Sequence, residues 1–198
     1  MNFRVFCLLL MLCCGCSLQG VSAPELNRAY PDVQLFDEAG QSVSLSSFRG
    51  RTILLHAVSM GCPICQAFSG SDTYGPFGAV MPNASLSPLE FYLAKGAPEA
   101  YKNRSFQIIQ VVFFNGSGEA PTVSELAEWS RHFHFHERGI TVLGAPMAVS
   151  QTLGTKLVPG FQVLDKNFVL RADSTGMIPR HDFRTQLIPV LKMLAARQ

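Results

Sequence analysis

Ser59-Met60-Gly61-Cys62-Pro63-Ile64-Cys65-Gln66 places two cysteines, with two residues between them, where a strand runs into a helix. Upstream, Thr52-Ile53-Leu54-Leu55-His56-Ala57-Val58 is a mostly apolar run of strand length, and Gly61 supplies a flexible joint after it. Proline is tolerated at the first helical position, so Cys62 is expected to cap a helix that Pro63 opens, with Cys65 one turn further in. That geometry makes the two sulfurs unequal. Cys62 is expected to face the unpaired N–H groups at the positive end of the helix, which favours its thiolate. Cys65 is expected to lie deeper, as the resolving thiol. Ile64 adds neither charge nor hydrogen-bond donor, so thiolate stabilisation is expected to rest mostly on the helix terminus.

The placement of the other cysteines isolates this pair. Of six cysteines, Cys7, Cys13, Cys14 and Cys16 lie in the first residues, where Arg4 precedes the apolar run Val5 to Leu12. Residues 1–22 read as a secretory leader, too short to span a bilayer as a mature anchor. Its end reads in two ways. Cys13-Cys14-Gly15-Cys16 resembles a bacterial lipobox with Cys16 as the lipidated residue, although Cys13 stands where leucine is more usual. Alternatively, signal peptidase cuts near Gly20 to Ala23, after Ser22 rather than directly before Pro24. Both readings stay open, and an uncleaved anchor is a weaker third. The expected organisation is thus a leader over 1–22 and one domain over 23–198, exported to the periplasm or secreted, with lipid attachment as the only membrane contact. A disulfide across Cys62 and Cys65 closes a very small loop and stabilises little through chain entropy, which favours a redox role over a structural staple. Metal binding is the next alternative.

Composition narrows the class further. With 198 residues, 47% of them hydrophobic, the chain can bury one good core. Its 16 basic and 14 acidic residues are scattered and leave a net charge of +2, so no nucleic-acid or membrane-surface footprint emerges. Asn83, Asn103 and Asn115 each begin an Asn-x-Ser sequon, an acceptor in a eukaryotic secretory pathway that a bacterial cell would usually ignore.

Around the cysteine stretch the chain divides into short elements. Asp32 to Phe36 and Gln41 to Leu45 alternate about the turn Asp37-Glu38-Ala39-Gly40 and read as a hairpin, followed by a helical turn over Ser46 to Gly50. Ser69 to Ala84 contains three glycines and two prolines and reads as a loop beside the cysteines. Ser87-Pro88-Leu89-Glu90 is expected to form a capping box, and Thr122-Val123-Ser124-Glu125 another, ahead of a helix with Leu126, Trp129 and Phe133 on one side. Between them Phe106 to Phe114 is the strongest strand signal, apolar enough for a central strand covered on both faces. His132, His134 and His136 alternate; on a helix His134 points away from the other two, so surface or helix-terminal histidines are the simpler reading than a metal site. Ile140 to Leu143 reads as a strand, Met147 to Gly154 as a short helix, and Phe161 to Leu164 with Phe168 to Arg171 as a second hairpin. His181-Asp182 opens a final helix with Phe183, Leu187, Val190, Leu191 and Leu194 on its buried side.

Asp37 to Gly40, Leu45-Ser46-Ser47-Phe48-Arg49-Gly50 and Cys62-Pro63-Ile64-Cys65 occur in an order and spacing that resembles the extracytoplasmic thioredoxin-like proteins of the TlpA and ResA kind. The resemblance extends over most of Pro31 to Gln198. It implies an α/β thioredoxin-like fold, with a central mixed β-sheet flanked by helices, an N-terminal hairpin and an insertion after the start of the cysteine helix. It also implies a cis proline packed against the cysteine pair, and Pro159, preceded by Val158, matches that position. The implied activity is thiol-disulfide exchange with protein substrates and a redox partner protein, with no cofactor. Cys62 attacks and Cys65 resolves, while Pro63, Ile64 and Val158 support them. The tryptophan usual before the first cysteine is absent, Met60-Gly61 standing there, so the substrate groove is expected to differ in shape. No buried acid precedes the motif; His56 is the nearest group for moving the Cys65 proton, although a histidine in an apolar strand is more often merely packed. A Sco-like copper factor would need three residues between the cysteines, and a thiol peroxidase a threonine-rich approach to its cysteine.

Overall fold

Seven strands form one mixed sheet in the order β2-β1-β5-β4-β3-β6-β7. The computed structural model describes residues 22–197. The expected leader up to residue 21, with Cys7, Cys13, Cys14 and the candidate lipidation residue Cys16, therefore lies outside the described residues. β3 (Ile53–Ser59), β4 (Gln107–Phe114) and β5 (Ile140–Gly144) run parallel, and β6 (Gly160–Leu164) and β7 (Leu170–Thr175) continue antiparallel beyond β3. The hairpin of β1 (Gln34–Phe36) and β2 (Ser42–Ser44) joins at the other edge, through Phe36 opposite Gly144. A Cβ on Gly144 would stand 2.3 Å from the Phe36 ring, which is why glycine occupies that crossing.

β3 and β4 are apolar almost throughout because both faces of the sheet are covered. Leu54, Val58, Ile108 and Val112 point to one core; Ile53, Leu55, Ala57, Ile109, Val111 and Phe113 point to the other. Each such leucine or isoleucine contributes roughly 1.5–3 kcal/mol on burial. The first core is closed by α1 (Pro63–Ser69), α3 (Leu89–Gly96), α5 (Val123–His132) and the C-terminal helix, with α2 (Ser71–Tyr74), α4 (Pro98–Lys102) and α6 (Phe135–Arg138) as short links. The second core is closed by the 3-10 turn Leu45–Phe48 and by a continuous helical stretch in three pieces, Met147–Val149, Ser150–Gly154 and Thr155–Leu157.

Three local expectations need correction. The stretch from Ser69 is not loop throughout: α1 runs to Ser69, Gly70 turns at φ 110°, and α2 follows, so irregular chain begins only at Gly75. Ser87 does not cap α3. Pro88 stands at that cap with no side-chain bond, because the Ser87 N–H donates to Tyr92 Oη at 3.1 Å and Glu90 accepts instead from Arg138 Nε at 2.6 Å. The second capping box forms as expected, with Glu125 N–H donating to Thr122 Oγ1 at 3.2 Å and Thr122 N–H to Glu125 Oε2 at 2.8 Å. Lastly, Asp182 caps the C-terminal helix, but the first turn, Phe183–Leu187, is of the wider π type before Ile188–Ala195. That extra residue rotates the buried stripe to Leu187, Ile188, Leu191 and Ala195, leaving Val190 and Leu194 only half-buried.

Candidate functional site

β3, β4 and β5 end at the same edge of the sheet, and the start of β6 and the end of β7 meet them there. Cys62 leaves β3 at this edge in an extended conformation, caps α1, and accepts the Cys65 N–H on its sulfur at 3.4 Å. Pro63 occupies the first turn, as its spacing predicts. Cys62 is half-buried and Cys65 fully buried, its sulfur 4.0 Å from the Ala57 carbonyl oxygen; both are free thiols. The Val158–Pro159 bond is cis, and the Pro159 carbonyl accepts the Gly176 N–H at 2.9 Å.

The two thiols are held apart electrically. A hydrogen bond from the Cys65 side chain lowers the Cys62 pKa to about 6; burial works against this, and the Cys65 and Ile64 N–H groups reinforce it. The sequence assigns that role mostly to the helix terminus, whereas the partner thiol contributes most. Cys65 is pushed the other way, above an ordinary thiol, by burial first and then by the Cys62 thiolate it serves. Alkylation of the reduced protein by iodoacetamide is accordingly expected to follow a titration centred near pH 6, confined to Cys62, with mass spectrometry identifying the site. A second titration at the same pH on Cys65 would contradict the assignment. Because the folded pKa lies below the ordinary thiol value of 9.0, the thiolate stabilises the reduced fold fully above that value and progressively less as pH falls to about 6.

Residues the sequence did not single out complete the site. Asn115-Gly116-Ser117-Gly118, the turn that follows β4, lines with Ser59, Cys62 and Val158 a groove of about 560 Å³. A Cβ on Gly61 would stand 3.2 Å from the Gly116 carbonyl oxygen, so the missing bulky residue before Cys62 is replaced by direct backbone approach of this glycine-rich turn. Gln66, fully buried, donates to the Met60 and Phe77 carbonyls and accepts the Phe77 N–H, each at 2.8 Å, tying the loop after α2 to the chain just before the cysteines. Asn115 holds its own turn, accepting the Ser117 and Glu119 N–H groups on Oδ1.

His56 is corrected as a carrier of the Cys65 proton. It lies in the core with Nδ1 3.1 Å from Gln110 Nε2, and burial, aided by the Arg138 charge, depresses its pKa to about 3. A base that weak stays neutral and does not take a proton from a thiol of raised pKa. Trp129, a core residue by its spacing, is fully buried and also donates to Gln110 Oε1 at 2.5 Å. The histidine trio does not converge: His132 Nε2 meets the Gly75 carbonyl at 3.0 Å, His134 turns left-handed at φ 52° to stack on Tyr74, and His136 borders a separate cleft. That cleft, about 680 Å³ beside Asp37, Phe48 and β5, is larger than the groove but contains neither cysteine, so chemistry rather than size assigns the site. Among the described residues no cluster of three or more His, Cys, Asp or Glu is placed to hold a metal ion.

No protein-family model matches the chain, and no curated protein matches it in sequence. Solved structures do match. A SCO1/SenC family lipoprotein from Bacillus anthracis superposes with a TM-score of 0.55 at 13% identity, over 86% of this chain and 96% of that one. A thiol peroxidase from Chromobacterium violaceum gives 0.53 at 12% identity, over 89% of each chain. A candidate protein disulfide isomerase from Bacteroides thetaiotaomicron gives 0.51 at 13% identity, over 87% and 91%. The chain therefore has a thioredoxin-like fold. These proteins differ in kind while sharing the fold, so the reaction has to be read from this chain's own residues.

Proposed function

We propose that the protein is an exported thiol-disulfide oxidoreductase, with residues 1–22 as leader and 23–198 as its single domain. The observation that carries this is the unequal pair: a half-buried Cys62 caps α1 and accepts the Cys65 N–H, while Cys65 is fully buried behind it, and their pKa values are pushed apart accordingly, Cys62 down to about 6 and Cys65 up. The Cys62 thiolate attacks a disulfide of a partner protein, forming a mixed disulfide and expelling one partner thiolate. Bonding of Cys62 removes its negative charge and its acceptor role, two of the causes that hold the Cys65 proton in place. Cys65 then loses that proton to the leaving thiolate or solvent and attacks the Cys62 sulfur. The pair ends as a disulfide, and the partner has gained two electrons and two thiols. The reverse sequence oxidises a partner. Since the lowered Cys62 pKa stabilises the dithiol form, the pair's reduction potential is expected to sit above that of two ordinary thiols. Catalysed precipitation of insulin by dithiothreitol, measured as turbidity, tests the activity; a wild-type protein that leaves the uncatalysed rate unchanged would falsify it.

A further inference from the structure

We propose that a basic cleft at the far end of the sheet from the cysteines binds a phosphate group, carried by a small soluble molecule or by a lipid headgroup.

Arg51, Lys102, Arg104 and Arg138 come from three separate stretches of sequence and line one cleft of about 350 Å³, with the buried Phe106 and Ile108 as its apolar floor. Arg51 stands just before β3 and Phe106 just before β4, whereas Cys62 follows the other end of β3. The seven residues of β3 put about 20 Å between the two ends. Cations that are scattered along the chain are thus concentrated only by the assembled sheet, and a cleft lined by one sign of charge raises the local concentration of its counter-ion.

The charges are not neutralised from within. Arg138 alone is satisfied: its Nε donates to Glu90 Oε1 at 2.6 Å and its Nη1 to the Ser69 and Phe133 carbonyl oxygens at 2.6 and 2.8 Å. Among the described residues Arg51, Lys102 and Arg104 form no ion pair with a carboxylate. Arg51 Nη2 instead donates to the Arg104 carbonyl oxygen at 3.0 Å, which brings one guanidinium onto the residue that carries the next. The backbone of Arg104 is a second, independent observation. Where α4 ends, the Ser105 N–H donates to the Ala100 carbonyl at 2.9 Å and the Arg104 N–H to the Tyr101 carbonyl at 3.1 Å, a helix end that puts Arg104 in the left-handed region, where glycine is usual. Arg104 adopts it at φ 51°, and its Nη1 lies over Gly139, 3.0 Å from where a Cβ would stand. An arginine held where glycine would be unstrained has a use for its side chain. Guanidinium forks match phosphate oxygens with paired N–H donors, and three cations without counter-ions suit a phosphate dianion better than a single carboxylate.

Inorganic phosphate is the first probe, titrated into wild type, Arg104→Gly and Arg51→Gln at an ionic strength of about 0.15 M and followed by the amide resonances of residues 104, 107 and 139. Wild type is expected to saturate with Kd on the order of 1 mM or tighter, and each variant to bind about tenfold more weakly. Arg104→Gly should melt no lower than wild type, because glycine relieves the backbone; a lower melting temperature with unchanged affinity would give Arg104 a packing role and overturn the proposal. Flotation with vesicles of equal parts phosphatidylglycerol and phosphatidylcholine separates the sources. Flotation that both variants lose identifies a lipid headgroup, and phosphate binding without flotation identifies a soluble phosphate. Binding of either probe that the variants keep undiminished, or binding of neither, overturns the proposal. If Arg104→Gly does not fold, Arg51→Gln, altered at an exposed position, decides alone. Cys62 alkylation should be the same in all three proteins, so failure here stays distinct from failure of the disulfide-exchange reading.

Discussion

Cys62→Ser is expected to reduce insulin precipitation to the rate of dithiothreitol alone, because serine at that position supplies no thiolate to open a disulfide. Cys65→Ser should also lose turnover but retain attack, accumulating a covalent complex with the partner that a reductant releases. The asymmetry follows from burial: Cys65 is 0% exposed and reaches Cys62, not the partner. Cys65→Ala removes the side-chain hydrogen bond that does most to lower the Cys62 pKa, so its alkylation midpoint should move upward from about 6. Non-reducing electrophoresis after incubation with an oxidised client separates the outcomes. Trapping by Cys62→Ser rather than by Cys65→Ser would invert the assigned roles and sink the mechanism.

Trp129→Ala is expected to cost the fold about 4 kcal/mol. Its ring is fully buried, meets Phe133 edge-on at 4.6 Å and Phe77 at 5.1 Å, and satisfies the Gln110 oxygen. Truncation leaves both a cavity and an unpaired buried acceptor, against a total stability of roughly 5–15 kcal/mol for a domain. Trp129→Phe keeps most of the volume and loses the N–H, so it should cost only about 1–3 kcal/mol. Because Trp129 is the sole tryptophan, urea unfolding has to be followed by circular dichroism rather than fluorescence. A loss below about 1 kcal/mol in Trp129→Ala would show that the core collapses around the gap and that packing here is not as tight as the contacts indicate.

Much of this was legible from local pattern. The cysteine cap with Pro63, the first hairpin, the apolar central strands and the Thr122 box depend on neighbours in sequence, and they formed as expected; the second hairpin formed with its return strand at Leu170–Thr175 rather than over Phe168 to Arg171, because Phe168 turns at φ 65°. What failed depended on side-chain contacts and helix geometry that residue spacing does not show, some of them from distant chain. Ser87 lost its capping role to Tyr92, and Glu90 was drawn away by Arg138, a residue 48 positions on. The π turn at Phe183 shifted a stripe that ideal helical spacing places one step off. The glycine-rich turn after β4 became part of the groove only because parallel pairing of β3 and β4 brings it beside Cys62. One clue was present but unread. His56 and Gln110 are polar interruptions in the two most apolar runs, and they are direct register partners across β3 and β4. A polar residue in a strand covered on both faces has to find a partner, so such interruptions point to a buried network before any coordinates exist.

The reactive sulfur hangs from β3, which is paired on both sides by β4 and β6 and roofed on both faces. Amides of Leu54 to Val58 should therefore exchange their hydrogens with solvent only when the whole domain opens, whereas irregular segments such as 75–88 and 176–182 can open by themselves. On the disulfide-exchange reading, warming or mild denaturant would then loosen these segments, which bond to Pro63 and Pro159 beside the cysteines, well before it disturbs the thiolate. Under such stress the protein would become less selective while still chemically competent, and its discrimination among clients would be a more sensitive gauge of native structure than its turnover.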